Sequence, residues 1–114
     1  MPDPGKPPRG YFEADGAGPC DPAAWVAGCI ERGVSALLLR DNALPAAFFD
    51  LRSGVAGELV QKLTNYRIRM AAVVPDLTVH PPRFREFARE ANAGSQIRFV
   101  ATREEAIAWL LRPA

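Results

Sequence analysis

The stretch Val34-Ser35-Ala36-Leu37-Leu38-Leu39, "VSALLL", is a short apolar run without alternation. Such a run is the pattern of a β-strand covered on both faces, which requires helices on both sides of a sheet.

Upstream of it, Asp21-Pro22 supplies an N-cap followed by proline at the first helical position, where a missing N–H costs nothing. The helix this opens runs to about Arg32 and stops at Gly33, with Trp25, Val26, Cys29 and Ile30 on one face and Glu31 and Arg32 toward water. "YFEA" before it reads as a short edge strand and "DGAGPC" as a loop. Residues 1–10, "MPDPGKPPRG", hold four prolines and are expected to form a mobile tail preceding a single domain over 11–114.

Downstream, "RDNALPAAFFD" reads as a connection with an irregular turn around Pro45, anchored by Phe48 and Phe49. A second helix is expected from Ser53 or Gly54 to about Tyr66, with Val55, Ala56, Leu59, Val60 and Leu63 inward and Glu58, Gln61, Lys62 and Asn65 outward. "RIRMAAVV" from Arg67 to Val74 is a second strand, broken by "PDLTVHPP". Pro82 to about Asn92 is a third helix with Phe84, Phe87, Ala88 and Ala91 on one stripe, and "QIRFV" is a further strand. Thr102 followed by Glu105 is a capping box that opens a last helix with Ala106, Ile107, Leu110 and Leu111 inward. Strands alternating with helices in this way predict a mainly parallel sheet in an α/β domain.

Composition narrows the function classes. Fourteen basic against thirteen acidic residues leave a net charge of +1, which gives no general field toward nucleic acid or an anionic membrane. No apolar run reaches the roughly 18 residues of a membrane span and no secretory leader is evident, so a cytoplasmic protein is expected. Two cysteines, Cys20 and Cys29, make no disulfide framework, and Cys29 is expected to pack as a small hydrophobe. With one histidine and separated cysteines there is no zinc spacing, and no glycine-rich phosphate loop is present. No metal and no cofactor are expected.

Ligands of open parallel sheets meet the carboxyl ends of the strands and the helix starts that follow. That edge collects Arg40, Asp41 and Asn42, then Ser53 and Gly54, then Pro75 and Asp76, then Thr102. A serine at a helix start is a plain cap or, at the positive end of the helix dipole, an anion position or a phosphorylation site. Gly54 fits either use. Gly57 lies inside the helix, where glycine costs about 1 kcal/mol against alanine, and it predicts that the sheet or another molecule approaches the backbone there. His80 is expected as an exposed loop residue, and Asp50 with Glu58 as a solvated pair of acids rather than a catalytic dyad. Arg67 and Arg69 on one side of a strand, with Arg83, Arg85 and Arg89 on a helix, read as solvated faces diluted by Glu86 and Glu90. Tyr66 at a helix end reads as half-buried packing.

"FFDLRSGVAGELVQKLTNYRIR" from Phe48 to Arg69 resembles an uncharacterised bacterial domain-of-unknown-function family, whose members carry Phe-Phe-Asp-Leu, Ser/Thr-Gly, Ala-Gly-Glu, Gln-Lys and Asn-Tyr-Arg in this order. "REANAGSQIRFV" and "EEAIAWL" extend the resemblance over about Asp21 to Leu111. More distantly the layout resembles STAS domains, the fold of anti-sigma-factor antagonists, which carry Asp-Ser-Ser-Gly-Leu-Gly at a strand-to-helix junction. Ser53-Gly54-Val55 matches the second Ser, the Gly and the Leu, while Arg52 stands at the position phosphorylated in those antagonists. The resemblance implies a small regulatory or protein-interaction module without catalysis, presenting Asp50, Arg52, Ser53, Gly54, Gly57, Glu58, Gln61 and Lys62 to a protein partner, with a second copy of the chain among the candidates. The alternative from the residues themselves is an anionic small molecule held by Arg40, Ser53 and Asp76, in a binder or an enzyme.

Overall fold

Four strands, Phe12–Ala14 (β1), Ala36–Leu39 (β2), Arg69–Val73 (β3) and Ile97–Val100 (β4), lie parallel in the order β1-β2-β3-β4. The structure is a computed structural model and describes residues 10–15 and 21–112; the expected tail before Gly10, and Cys20 with its loop, lie outside the described residues. The helices are Pro22–Arg32 (α1), Ala46–Phe49 (α2), Val55–Tyr66 (α3), Pro82–Ala93 (α4) and Arg103–Leu110 (α5). The domain is α/β with a parallel sheet, as the alternation of patterns predicts.

Strand order dictates where the helices go. When each parallel strand adds beside the one before it, right-handed crossovers all return over the same face. Accordingly α1, α3 and α4 share one core with that face, built on Trp25, Cys29, Leu59, Leu63, Phe84 and Ala88 against Leu37, Leu39, Met70, Ala72, Ile97 and Phe99. Among the described residues no further strand follows β4, and α5 covers the opposite face, where Ala106, Trp109 and Leu110 meet Ala36, Leu38, Ala71 and Val73. Both faces of β2 are thus buried, which is why "ALLL" carries no alternation.

The expected strands begin two residues early in two places, for one reason. Gly33, in the left-handed region at φ 66°, and Arg67, at φ 55°, each terminate a helix. The next N–H turns back in both cases: Val34 donates to Cys29 O at 3.0 Å and Ile68 to Leu63 O at 2.9 Å. Arg67 is therefore a helix stop rather than a strand residue, and it is the one described non-glycine residue with positive φ.

Gly28 lies inside α1 against β1. A Cβ there would fall under 3.0 Å from three ring atoms of Phe12, so the glycine lets the helix pack on the edge strand. The Arg32 guanidinium covers the same ring at 4.4 Å.

Helix α5 is rotated from its expected face. Trp109 is buried and Leu111 is 54% exposed, because Arg69 stacks on the indole at 4.3 Å and donates to the Trp109 carbonyl at 3.2 Å. At its start, Glu105 N–H donates to the Thr102 hydroxyl at 3.2 Å, while the Glu105 carboxylate accepts from Ala101 N–H at 3.4 Å. The Arg103 guanidinium grips both carboxylate oxygens of Glu13 on β1, at 2.7 and 2.9 Å, and fixes α5 across the sheet. Ile30, expected inward on α1, is 56% exposed.

Candidate functional site

A strand order that never reverses has no switch point, so the usual crevice between oppositely wound halves is absent from this sheet. The carboxyl edge acquires a cleft by another route. Residues 40–54, between β2 and α3, fold into a 3-10 turn at Asp41–Ala43, the short α2, and a second 3-10 turn at Leu51–Ser53. Phe48 anchors this corner in the core, where full burial of such a ring contributes about 2 kcal/mol. Its neighbour Phe49 packs edge-on to Phe84 of α4 at 4.9 Å and lies flat against His80, with ring centroids 3.9 Å apart. His80 is therefore half-buried and stacked, not an exposed loop residue.

Between the corner and the start of α4 lies a cleft of about 600 Å³. Ala46, Phe49, Leu51, Pro81 and Pro82 give it apolar walls, and Asp50, Arg52 and Arg83 supply charge. A second hollow of about 470 Å³ shares Leu51 and Arg83 with it and adds Glu86, Phe87 and Glu90 along α4. The exposed Val79 precedes the two prolines in the chain.

Asp50 and Arg52 are thus brought to the cleft. The Asp50 carboxylate accepts from Arg52 N–H at 3.1 Å and stands 4.0 Å from the Arg52 guanidinium. Ser53 is adjacent, and its hydroxyl has two partners: it donates to Ala47 O at 2.5 Å and accepts from Val55 N–H at 3.3 Å. Ser53 ends a 3-10 turn rather than following a strand, and Gly54, at φ 83°, passes the chain into α3. Left-handed geometry accounts for that glycine.

From there α3 exposes Gly57, Glu58 and Gln61, with Lys62 half-buried. A Cβ at Gly57 would meet nothing within 4 Å, so the protein's own sheet does not approach the backbone there.

Arg40 and Asp76 are drawn elsewhere. Arg40 lies 3.6 Å from Glu13, and Asp76 accepts from both the backbone N–H and the hydroxyl of Thr78, at 2.9 and 2.5 Å. These hydrogen bonds hold the Asp76 carboxyl below its ordinary value. None of Arg40, Ser53 and Asp76 lines this cleft. Tyr66, expected half-buried, is 57% exposed.

The cleft residues that the sequence does not single out as a site are Ala46, Phe49, Leu51, Pro81, Pro82 and Arg83. Only the Phe48-Phe49 doublet signals an anchored corner, and no local pattern ties it to Pro81-Pro82.

Cys29 packs as a small hydrophobe, its thiol 3.7 Å from Ala36 O and pushed up by burial to about 11. Among the described residues no group of three or more His, Cys, Asp or Glu could hold a metal ion, and no helix is long and apolar enough to cross a membrane.

The family model of a domain of unknown function, DUF4180, matches residues 21–110. No curated protein and no solved structure matches the chain.

Proposed function

The chain belongs to the DUF4180 family, and from its geometry we propose that it is a cytoplasmic protein-interaction module that receives its partner at the carboxyl-edge cleft. The observation that carries the proposal is the open, apolar-walled cleft between the Phe49 corner and Pro81-Pro82, lined also by the charged residues Asp50, Arg52 and Arg83. An apolar surface rimmed by charge is the usual character of a protein contact site. Helix α3 begins at Val55, three residues along the chain from Arg52 of the cleft. Gly54, Gly57, Glu58, Gln61 and Lys62 extend the contact surface, and the open space over Gly57 leaves the backbone free for a partner to approach.

A photo-crosslinking amino acid in place of Arg52 or Arg83, compared in cells with the same substitution at Glu31 on the outer side of α1, tests the proposal. Discrete crosslinked products at the cleft positions and none at Glu31 are expected. Identical products at all three positions, or none at the cleft, would refute it.

A regulatory role of the STAS-like kind, with Ser53 phosphorylated, is the finer form of this reading. Its support is the exposure of Ser53 and the two hydrogen bonds its hydroxyl makes at the corner. A phosphate there would remove the donor to Ala47 O and add negative charge beside Arg52. Intact-mass spectrometry of protein from its native cells, showing no phosphorylated fraction under varied growth conditions, counts against it. The second reading is an anionic small molecule between Arg52 and Arg83, favoured by a cleft volume within the range of small-ligand sites. It is distinguished by retention of a low-molecular-mass compound on native purification.

A further inference from the structure

We propose that the segment received by the cleft is an extended peptide of a partner protein with an apolar anchor, an acidic residue on one side of it and a basic residue on the other. This rests on the interaction reading above and gives it a chemical pattern.

The two hollows share Leu51 and Arg83 and so form one continuous furrow along the side of α4. Its charge is ordered. Arg52 lines the first hollow beside Asp50, Arg83 stands where the two hollows meet, and Glu86 and Glu90 line the second. All four side chains belong to exposed residues, and among the described residues Arg83, Glu86 and Glu90 have no ion pair. Arg52 faces only Asp50, at 4.0 Å.

The apolar walls are Phe49, Leu51, Pro81 and Pro82 in the first hollow, and Leu51 with Phe87 in the second, where they share the lining with Arg83, Glu86 and Glu90. From Arg83 to Glu90 the helix rises roughly 10 Å, the reach of about three extended residues. A short peptide therefore reaches from Arg83 to Glu90 while seating one apolar side chain on Leu51 and Phe87. A guanidinium pair suits a carboxylate, and two carboxylates one helical turn apart suit an ammonium or guanidinium. A uniformly anionic surface would meet repulsion at Glu86 and Glu90, so the charge order favours a mixed-charge segment over an anionic membrane.

The test uses four capped peptides with a single central Phe, flanked by two Glu and two Lys, by Glu on both sides, by Lys on both sides, or by Ser on both sides. Binding is read from backbone amide shifts of the full chain. The mixed-charge peptide is expected to bind tightest and to shift amides of residues 49–52 and 83–90. In the variant Arg52→Glu with Arg83→Glu the preference should pass to the all-Lys peptide. In Glu86→Lys with Glu90→Lys it should pass to the all-Glu peptide. Each change of rank should be about tenfold.

If the Ser-flanked peptide shifts the same amides as strongly, or if neither variant changes the ranking, the charge pattern is wrong while the cleft remains the docking site. If no peptide shifts those amides at saturating concentration, or phosphatidylserine vesicles alone do so, both readings fall. Dispersed amide spectra of the two variants establish that they fold, since all four substitutions are at exposed residues.

Discussion

The Asn92 side chain stands where a fifth strand would pair: its carboxamide oxygen accepts from Phe99 N–H at 2.7 Å, and its nitrogen donates to the Phe99 carbonyl at 3.2 Å. β3 binds β4 through Gln96 O and Val100 O, so the polar groups of Phe99 face the open side of the sheet. An unpaired edge is a template for another chain, and α4 closes it with one amide while Glu105 covers Ala101 N–H. Replacing Asn92 by Leu should remove about 1 to 2 kcal/mol of stability and increase self-association. Urea denaturation and light scattering read the two effects. An Asn92→Leu protein that is as stable and as monodisperse as the parent would show that the edge needs no such cover.

The two helical glycines Gly28 and Gly57 predict opposite responses to alanine. At Gly57 the new methyl enters open space, and the helix gains about 0.5 to 1 kcal/mol. At Gly28 the same gain is outweighed by displacement of the Phe12 ring, whose contact with α1 and with Arg32 holds the edge strand. A net loss of about 1 kcal/mol is expected there. Thermal denaturation of the two variants side by side decides it, and a stabilised Gly28→Ala would mean that Phe12 yields without cost.

How much of this was legible in the sequence depends on whether the determinant is local. β2 announced itself because an unalternating "ALLL" requires cover on both faces, and the caps at Asp21 and Thr102 are made by residues within three positions of their targets. Gly33 could be read as a helix stop because left-handed geometry suits glycine. Arg67 does the same task with no such mark, and its strand was expected to begin too early. Leu111 is expected inward and is exposed, while Trp109 is buried and held by Arg69, forty residues away. The cleft is the extreme case. The resemblance points to Asp50 and Arg52, but Pro81, Pro82 and Arg83 reach them only through the stacking of Phe49 on His80 and Phe84, a contact that no periodicity encodes.

Ser53 ties the corner to α3 through both functions of one hydroxyl, so alanine and threonine should differ there. Ser53→Ala loses the donor to Ala47 O and the acceptor for Val55 N–H, at a cost of about 1 kcal/mol. Ser53→Thr keeps both groups and should retain most of that stability. Urea midpoints of the two variants provide the comparison. Equal midpoints for alanine and parent would show that the hydroxyl contributes nothing to holding the corner.

The grip of Arg103 on Glu13 makes the docking of α5 sensitive to acid. Hydrogen bonds from the Arg103 guanidinium hold the Glu13 carboxyl below its ordinary value of 4.5, with Arg40 adding attraction from 3.6 Å. A carboxyl depressed in the folded state binds fewer protons than in the unfolded chain, so its stabilisation is complete above that ordinary value. As pH falls through the folded value the stabilisation is lost. Glu13→Gln should therefore lower the melting temperature at neutral pH, and the gap to the parent should narrow progressively below pH 4.5. Arg103→Met should show the same convergence, since it removes the other half of the pair. Melting curves from pH 7 to pH 3 measure it, and a gap that stays constant over that range would assign the loss to packing rather than to the ion pair.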